Sequence, residues 1–144
     1  MKNLKALFFL LPLLLASCAK PLALVVSYSD DTTATGTVKI VPSRPLSGTK
    51  LTFNDKLLVE NDSQFVKSIT VKHIPDGHYS YRMTCENSKF KGKLDASNQI
   101  EVKGEEERTF LHEAPPYSTG YWVNQGMYQI GTWIALAVLL AVDW

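Results

Sequence analysis

The chain has 144 residues, of which 45% are hydrophobic, and its 15 basic and 14 acidic residues leave a formal charge of +1 at pH 7. Such a length allows one small domain with short extensions. The balanced charge argues against a nucleic-acid-binding protein, which would need an excess of positive charge, and two cysteines cannot build a disulfide framework.

Residues 1–17 have the pattern of a secretory signal peptide. Two lysines precede an apolar run at 6–16, which is too short for an ordinary bilayer span. The tetrapeptide Leu15-Ala16-Ser17-Cys18 resembles the bacterial lipobox. This resemblance to bacterial lipoproteins implies that the signal helix is cleaved and that Cys18 carries acyl chains such as palmitate, which hold the protein on a bilayer. The alternative is a plain signal peptide or short anchor with a chance cysteine.

Residues 18–113 are predicted to form one small β-domain. A strand is predicted at 22–28, and five further segments alternate apolar and polar residues, as half-buried strands do. These five segments are 37–41, 50–53, 68–71, 78–83 and 99–102. Turn-forming residues separate them at regular intervals, which favours a mainly β fold, a small antiparallel β-sandwich. Helical signals are scarce: residues 57–61 could begin a helical turn, and 105–108 are predicted as a solvated loop or strand edge.

One turn is distinctive. Pro75-Asp76-Gly77 is predicted to join a strand ending near Ile74 to one starting at His78, because proline fixes φ and glycine permits φ > 0. The region 36–86 resembles PEGA-type domains and carboxypeptidase-regulatory-like sandwiches of bacterial surfaces. The matching pieces are 38–42, 47–48, 51–55 and 74–79, with a departure at Asn54-Asp55, where that family often has Asp-Gly. The resemblance implies a β-sandwich that serves as a binding or spacer module.

Residues 114–142, close to the C-terminus, carry no charge. Residues 114–126 are predicted to form a linker rich in proline, glycine and aromatic residues, and 127–144 a hydrophobic helix. Extended back to Trp122, the helix would be long enough to cross a bilayer. It could insert into a membrane, pack on the β-domain or self-associate, and the neighbouring lipid anchor favours the membrane. The residues expected to associate with lipid are Trp133, Ile134, Leu136, Val138, Leu139, Leu140 and Val142.

The histidines do not form a recognisable metal-binding pattern. His73 and His78 flank the Pro75-Asp76-Gly77 turn and could face each other across a hairpin. A metal site needs three or four ligands, so Asp76 or Glu86 would have to complete it. We expect structural or surface histidines, no metal and no cofactor.

Cys85 is the cysteine that remains once Cys18 is lipidated. It follows Met83 at strand spacing and is expected in the core. A catalytic cysteine would need a neighbouring base, and no hydrolase, phosphate-loop, zinc-protease or dinucleotide-binding motif occurs in the sequence. We therefore do not expect an enzyme.

Lys89, Lys91 and Lys93 alternate along the chain and are predicted to share one strand face, with Phe90 and Leu94 on the other. One interpretation is a solvated edge whose charges prevent strand pairing. The other is a contact with anionic lipid headgroups or glycan phosphates near the anchor.

Taken together, the sequence predicts a lipoprotein of the bacterial cell envelope that faces the periplasm or the exterior. Its expected role is a non-catalytic structural or accessory subunit that docks an envelope protein partner, without nucleic acid. The alternative is a binding module for a cell-wall glycan or small ligand that stacks on exposed aromatics. Tyr79 and Tyr81 share one strand face and are the first candidates, with Tyr117, Tyr121 and Trp122 as further ones.

Overall fold

The computed structural model describes residues 20–141, so the predicted signal helix and Cys18 lie outside the described residues. The fold is mainly β, with eight strands in two four-stranded sheets followed by one helix. The strands are β1 Leu22–Ser27, β2 Gly36–Pro42, β3 Thr49–Phe53, β4 Lys56–Asn61, β5 Val66–Ile74, β6 Gly77–Cys85, β7 Leu94–Val102 and β8 Glu107–His112. The helix, α1, is Thr119–Ala141.

The two sheets differ in strand direction. The first sheet has the order β1-β5-β2-β8, and the second has the order β4-β3-β6-β7. The second sheet is antiparallel throughout. In the first sheet only β2 and β5 are antiparallel, whereas β1 runs parallel to β5 and β8 runs parallel to β2. The prediction of an antiparallel fold is therefore wrong for these two pairs, because apolar alternation reports burial and not the direction of the neighbouring strand.

Both sheets contribute to one hydrophobic core. The alternation predicted for the strands is present, since inward residues of β2 such as Val38 and Ile40 are fully buried while the residues between them are partly exposed. From the second sheet, Leu51, Phe53 and Met83 are equally buried. Two sheets that share a core are consistent with the predicted β-sandwich.

Residues 57–61, which could begin a helical turn, instead form part of strand β4, Lys56–Asn61. β3 and β4 are joined at Asn54 and Asp55, whose φ angles are 45° and 61°. Two positive φ values at the centre of a two-residue loop are typical of a type I′ turn, which matches the twist of an antiparallel pair. The departure from the PEGA-like pattern at this position therefore still yields a tight hairpin.

The Pro75-Asp76-Gly77 turn has a different role from the one expected. It does join β5, which ends at Ile74, to β6, which begins at Gly77, but these strands belong to different sheets. The turn is a corner between the sheets, so His73 and His78 do not pair across a hairpin. The Asp76 carboxylate accepts a hydrogen bond from the Gly104 backbone N–H at 2.8 Å, which ties this corner to the loop after β7.

Candidate functional site

The strand directions place the connecting segments at two opposite ends of the sheets. At one end, which we call the helix pole, lie the incoming chain at 20–21 and the segments 43–48, 62–65, 86–93 and 113–118. At the other end, the far pole, lie the segments 28–35, 54–55, 75–76 and 103–106. Helix α1 begins at the helix pole, next to the point where the chain enters the domain.

Direct contacts show how close the two ends of the domain are. The Leu22 backbone N–H donates a hydrogen bond to the Phe65 carbonyl at 2.7 Å. The ring of the same Phe65 lies 6.2 Å, centroid to centroid, from the ring of Tyr121 in the first turn of α1. The chain entering the domain at Leu22 and the start of α1 are therefore on the same side of the domain.

Aromatic side chains surround the base of α1. We call them the aromatic collar: Phe65, Phe90, Tyr117, Tyr121 and Trp122. Tyr117 is their centre, with its ring stacked on Tyr121 at 4.8 Å and on Phe90 at 5.2 Å, and with Trp122 edge-on at 5.6 Å. Tyrosine and tryptophan combine an apolar ring with a polar group, which suits a boundary between an apolar phase and water.

Helix α1 is fastened to the domain through its N-cap. The Ser118 hydroxyl accepts a hydrogen bond from the Tyr121 N–H at 3.2 Å and donates one to the Ser88 carbonyl at 3.0 Å, and the Ser118 N–H bonds to the Lys89 carbonyl at 2.8 Å. An N-cap of this type satisfies an otherwise unpaired N–H of the first turn. The helix is therefore held by segment 86–93, which also forms a short bridge with Tyr117.

The predicted linker at 114–126 is not a linker along its whole length. Ala114 is buried in the core, and Tyr117 packs against the core. Residues 119–126 form the first two turns of α1, so the helix begins at Thr119 and not near 127. The proline pair at 115–116 marks the last extended residues, as expected from its effect on the preceding backbone.

Beyond its first turn, α1 exposes apolar side chains. Trp133 is 71% exposed, Ile134 59% and Val138 57%, and Trp122 and Met127 are similarly exposed. The helix therefore does not pack on the β-domain along these residues, in contrast to one of the three interpretations of the sequence. The side chains of Leu136, Leu139, Leu140 and Val142 lie outside what the structure describes.

The polar residues of α1 lie between Thr119 and Thr132. Tyr121, Gln125, Gln129 and Thr132 follow an i, i+4, i+8, i+11 spacing that places residues on one helix face. Along this stripe the Gln125 amide donates to the Tyr121 hydroxyl at 3.3 Å, and the Thr132 hydroxyl donates to the Tyr128 carbonyl at 2.8 Å. From Trp133 to Ala141 every residue is apolar. Within residues 20–141, the structure contains no helix that is both long enough and apolar enough to cross a membrane.

Segment 86–93 is a loop, so the prediction that Lys89, Lys91 and Lys93 share a strand face is wrong. Phe90 turns into the core and leaves the lysines around the helix pole. The Lys89 ammonium lies 4.8 Å from the Phe65 ring centroid, and the Lys91 N–H bonds to the Pro116 carbonyl at 2.7 Å. Lys93 pairs with Glu86 at 2.5 Å. The alternation of lysines with Phe90 therefore reflects the burial of Phe90 in the core and not the pairing of a strand.

Tyr79 and Tyr81 lie on the inner face of β6, which corrects their assignment as an exposed stacking surface. Tyr81 is only 2% exposed and hydrogen-bonds through its hydroxyl to Nε2 of His112 in the first sheet at 2.7 Å. Burial raises the pKa of Tyr81 to about 12 and lowers the pKa of His112. Tyr79 is half-buried and donates to the Pro75 carbonyl at 2.9 Å. The Tyr81 ring is therefore not available to stack on a sugar, and the Tyr79 ring is only partly exposed.

The groups with reactive potential hold structural positions. Cys85 is in the core, as expected; its thiol donates to the Ser47 carbonyl at 3.0 Å, and burial raises its pKa to about 11. His73 lies 3.2 Å from the Ser27 hydroxyl, and His78 faces Glu101. In the described part of the chain, no three histidine, cysteine or acidic residues are close enough together to hold a metal ion.

The outer face of the second sheet forms a shallow polar depression of about 920 Å³. Its two basic lining residues are ion-paired, Lys50 with Glu60 and Arg82 with Asp95, each at 2.5 Å. Its other lining residues are mainly serine, threonine, asparagine and glutamine. Tyr81 contributes to the lining, but its ring points into the core. The surface therefore lacks the aromatic platform required by the glycan-binding alternative.

Two collar residues were not predicted as part of a site. Phe65 is in an irregular segment with no periodicity, and the alternation around Phe90 predicted a strand face and not a contact with Tyr117. A local signal did exist for the helix start, because Ser118 comes just before the apolar run, where an N-cap residue is favoured.

Comparisons with known proteins find no matching family model, no similar curated protein and no similar solved structure.

Proposed function

We propose that the protein is a lipoprotein of the bacterial cell envelope, with a β-sandwich domain held at a membrane from one end. Acyl chains on Cys18 provide the first attachment, and helix α1 provides the second. The signal helix is removed on export, and the domain faces the periplasm or the exterior. The domain serves as a non-catalytic structural or accessory subunit that docks a partner protein.

The observation that carries this proposal is an exposed apolar helix beside the incoming chain. Large apolar side chains such as Trp133 and Ile134 are more than half exposed. Burying apolar surface lowers the free energy by about 25 cal/mol per Å², so covering these side chains would be favourable. Exposed apolar surface on this scale is typical of membrane or protein contacts. A lipid anchor attached a few residues before Leu22 would bring a bilayer to that surface.

A non-catalytic role is supported by how the titratable groups are used. The Cys85 thiol has a raised pKa and is buried, which opposes thiolate formation. The His112 imidazole hydrogen-bonds to Tyr81 and His73 to Ser27, whereas the side chain of His78 is 85% exposed and lies 3.8 Å from Glu101. A general base needs to reach a proton on a bound substrate, and these contacts are between structural elements.

Docking of a partner is supported by the ends of the sheets. β8 is the last strand of the first sheet and β7 is the last strand of the second. Leu111 of β8 points outward and is 78% exposed. A strand at the edge of a sheet can pair with an extended segment of another chain through its backbone groups.

Intact mass spectrometry of the chain recovered from membranes tests the lipoprotein proposal. The expected N-terminal residue is Cys18, with the added mass of a diacylglycerol and an amide-linked acyl chain. The matched Cys18→Ala variant is expected to show no lipid mass. A wild-type chain with an unmodified Cys18, or one cleaved at another residue, would contradict the proposal.

A further inference from the structure

The charges of the connecting segments are divided between the two poles. The helix-pole segments contain five basic residues, Lys20, Arg44, Lys89, Lys91 and Lys93, against three acidic residues, Asp62, Glu86 and Glu113. The far-pole segments contain one basic residue, Lys103, against six acidic residues, Asp30, Asp31, Asp55, Asp76, Glu105 and Glu106. The domain is thus polarised along the axis that leads to α1, although the whole chain is almost neutral.

The cations of the helix pole are placed around the aromatic collar. Lys89 lies over the ring of Phe65, and the Arg44 guanidinium lies 5.9 Å from the ring centroid of Tyr117. Lys91 is exposed next to them, its backbone bonded to Pro116. Of the three acidic residues at this pole, Glu86 is paired with Lys93. Positive charge therefore surrounds the collar.

Such an arrangement fits the order of layers at a membrane surface. Apolar helix residues match the acyl chains, tyrosine and tryptophan match the interfacial region, and lysine and arginine match the headgroups outside it. Near an anionic leaflet each basic residue adds about 1 kcal/mol of attraction, and an acidic surface is repelled. The acidic far pole would then be directed away from the bilayer.

From this polarity we infer that the helix pole binds the anionic headgroups of the membrane into which α1 inserts, with Lys89 and Lys91 as the principal contacts. The inference rests on the proposed function, because it assumes that α1 meets a bilayer. It adds the lipid class that the surface recognises and the orientation of the domain. The far pole and the free edges of β7 and β8 remain accessible to a partner.

Vesicle partitioning of residues 18–144 with Cys18→Ala tests the inference without the lipid anchor or the signal segment. The vesicles are phosphatidylcholine alone or a mixture of phosphatidylcholine and phosphatidylglycerol. Because three lysines are changed, the variant K89Q/K91Q/K93Q is expected to lower partitioning to the mixed vesicles roughly tenfold or more at low salt. Binding to phosphatidylcholine alone should not change, and the variant K89R/K91R/K93R should bind like the parent.

Lysines towards the far ends of the strands offer a matched control, K56Q/K72Q/K103Q: Lys103 is in the far pole, and Lys56 and Lys72 lie near the adjoining ends of β4 and β5. It removes the same charge and the same kinds of contact, since Lys56 lies 5.4 Å from the Tyr28 ring centroid, Lys103 pairs with Glu101, and Lys72 is exposed. This control is expected to keep the preference of the parent for anionic vesicles. Equal losses in both triple variants would attribute the effect to net charge and overturn the inference.

The remaining outcomes separate the inference from the proposed function. If the parent binds both vesicle types equally, α1 inserts but the headgroup site does not exist. If the parent binds only the anionic vesicles, and only through the three lysines, the headgroup site exists but the proposed attachment through α1 fails.

Discussion

Replacing Ile134 and Val138 with lysine is expected to release the chain 18–144 with Cys18→Ala, which has neither signal segment nor lipid, from membranes. Both side chains lie on the apolar part of α1 and are more than half exposed. A lysine at the centre of a membrane-inserted helix costs about 2.5 to 3.5 kcal/mol. Two of them should reduce partitioning by roughly three to five orders of magnitude, since each 1.4 kcal/mol is a factor of ten. Carbonate extraction followed by flotation measures the effect.

The polar stripe of α1 provides the control for this change. Q125K/Q129K adds the same two charges to the same helix, but on the side that carries Tyr121 and Thr132. This variant should stay in the membrane fraction, because lysines near the start of the helix can reach the headgroups. Retention of I134K/V138K, or release of the Cys18→Ala parent itself, would show that α1 is not a membrane attachment.

Phe53→Ala is expected to have the largest effect on the stability of the β-domain. Phe53 is 0% exposed and lies between three tyrosines, with ring centroids 5.2 Å from Tyr28, 5.3 Å from Tyr79 and 6.5 Å from Tyr81. Truncation of a buried phenylalanine costs about 3 to 5 kcal/mol of unfolding free energy. The loss combines removed apolar area with a cavity that rigid aromatic neighbours do not fill.

Urea unfolding followed by circular dichroism measures this loss in the full chain. Leu57→Ala is the control, since Leu57 is on the adjacent strand but is 50% exposed; its effect should stay within about 0.5 kcal/mol. A loss below about 1 kcal/mol for Phe53→Ala would show that these rings do not form a packed core.

Apolar alternation was sufficient to predict several strands, because one face of each is buried. β2 and β3 follow their predicted segments closely. β4 was not predicted, because Leu57, Leu58 and Val59 are three consecutive apolar residues and do not alternate with polar ones. The pairing of β3 with β4 also has a register irregularity between Leu51 and Thr52. Residues 94–98 of β7 were not predicted as strand, because the exposed positions among them carry short polar residues.

Other features depend on which strands become neighbours, and local sequence does not contain that information. The chemistry of Pro75-Asp76-Gly77 predicts a reversal, but not that the chain crosses to the other sheet. Alternation places Tyr79 and Tyr81 on one face of β6, but the covering sheet decides whether that face is buried. Leu22 and Ser118 likewise both lie at the helix pole because β1 pairs in parallel with β5 and β8 pairs in parallel with β2.

Quenching of the native tryptophans by brominated lipids tests the central claim, that α1 is embedded in the membrane to which the chain is anchored. Trp122, Trp133 and Trp144 are the three tryptophans of the chain, so fluorescence of the unmodified protein reports on this segment; Trp144 lies outside the described residues. In vesicles with bromine on the acyl chains, we expect blue-shifted emission that is strongly quenched. Unquenched emission at the wavelength of water-exposed tryptophan, from protein that is bound to those vesicles, would contradict the claim.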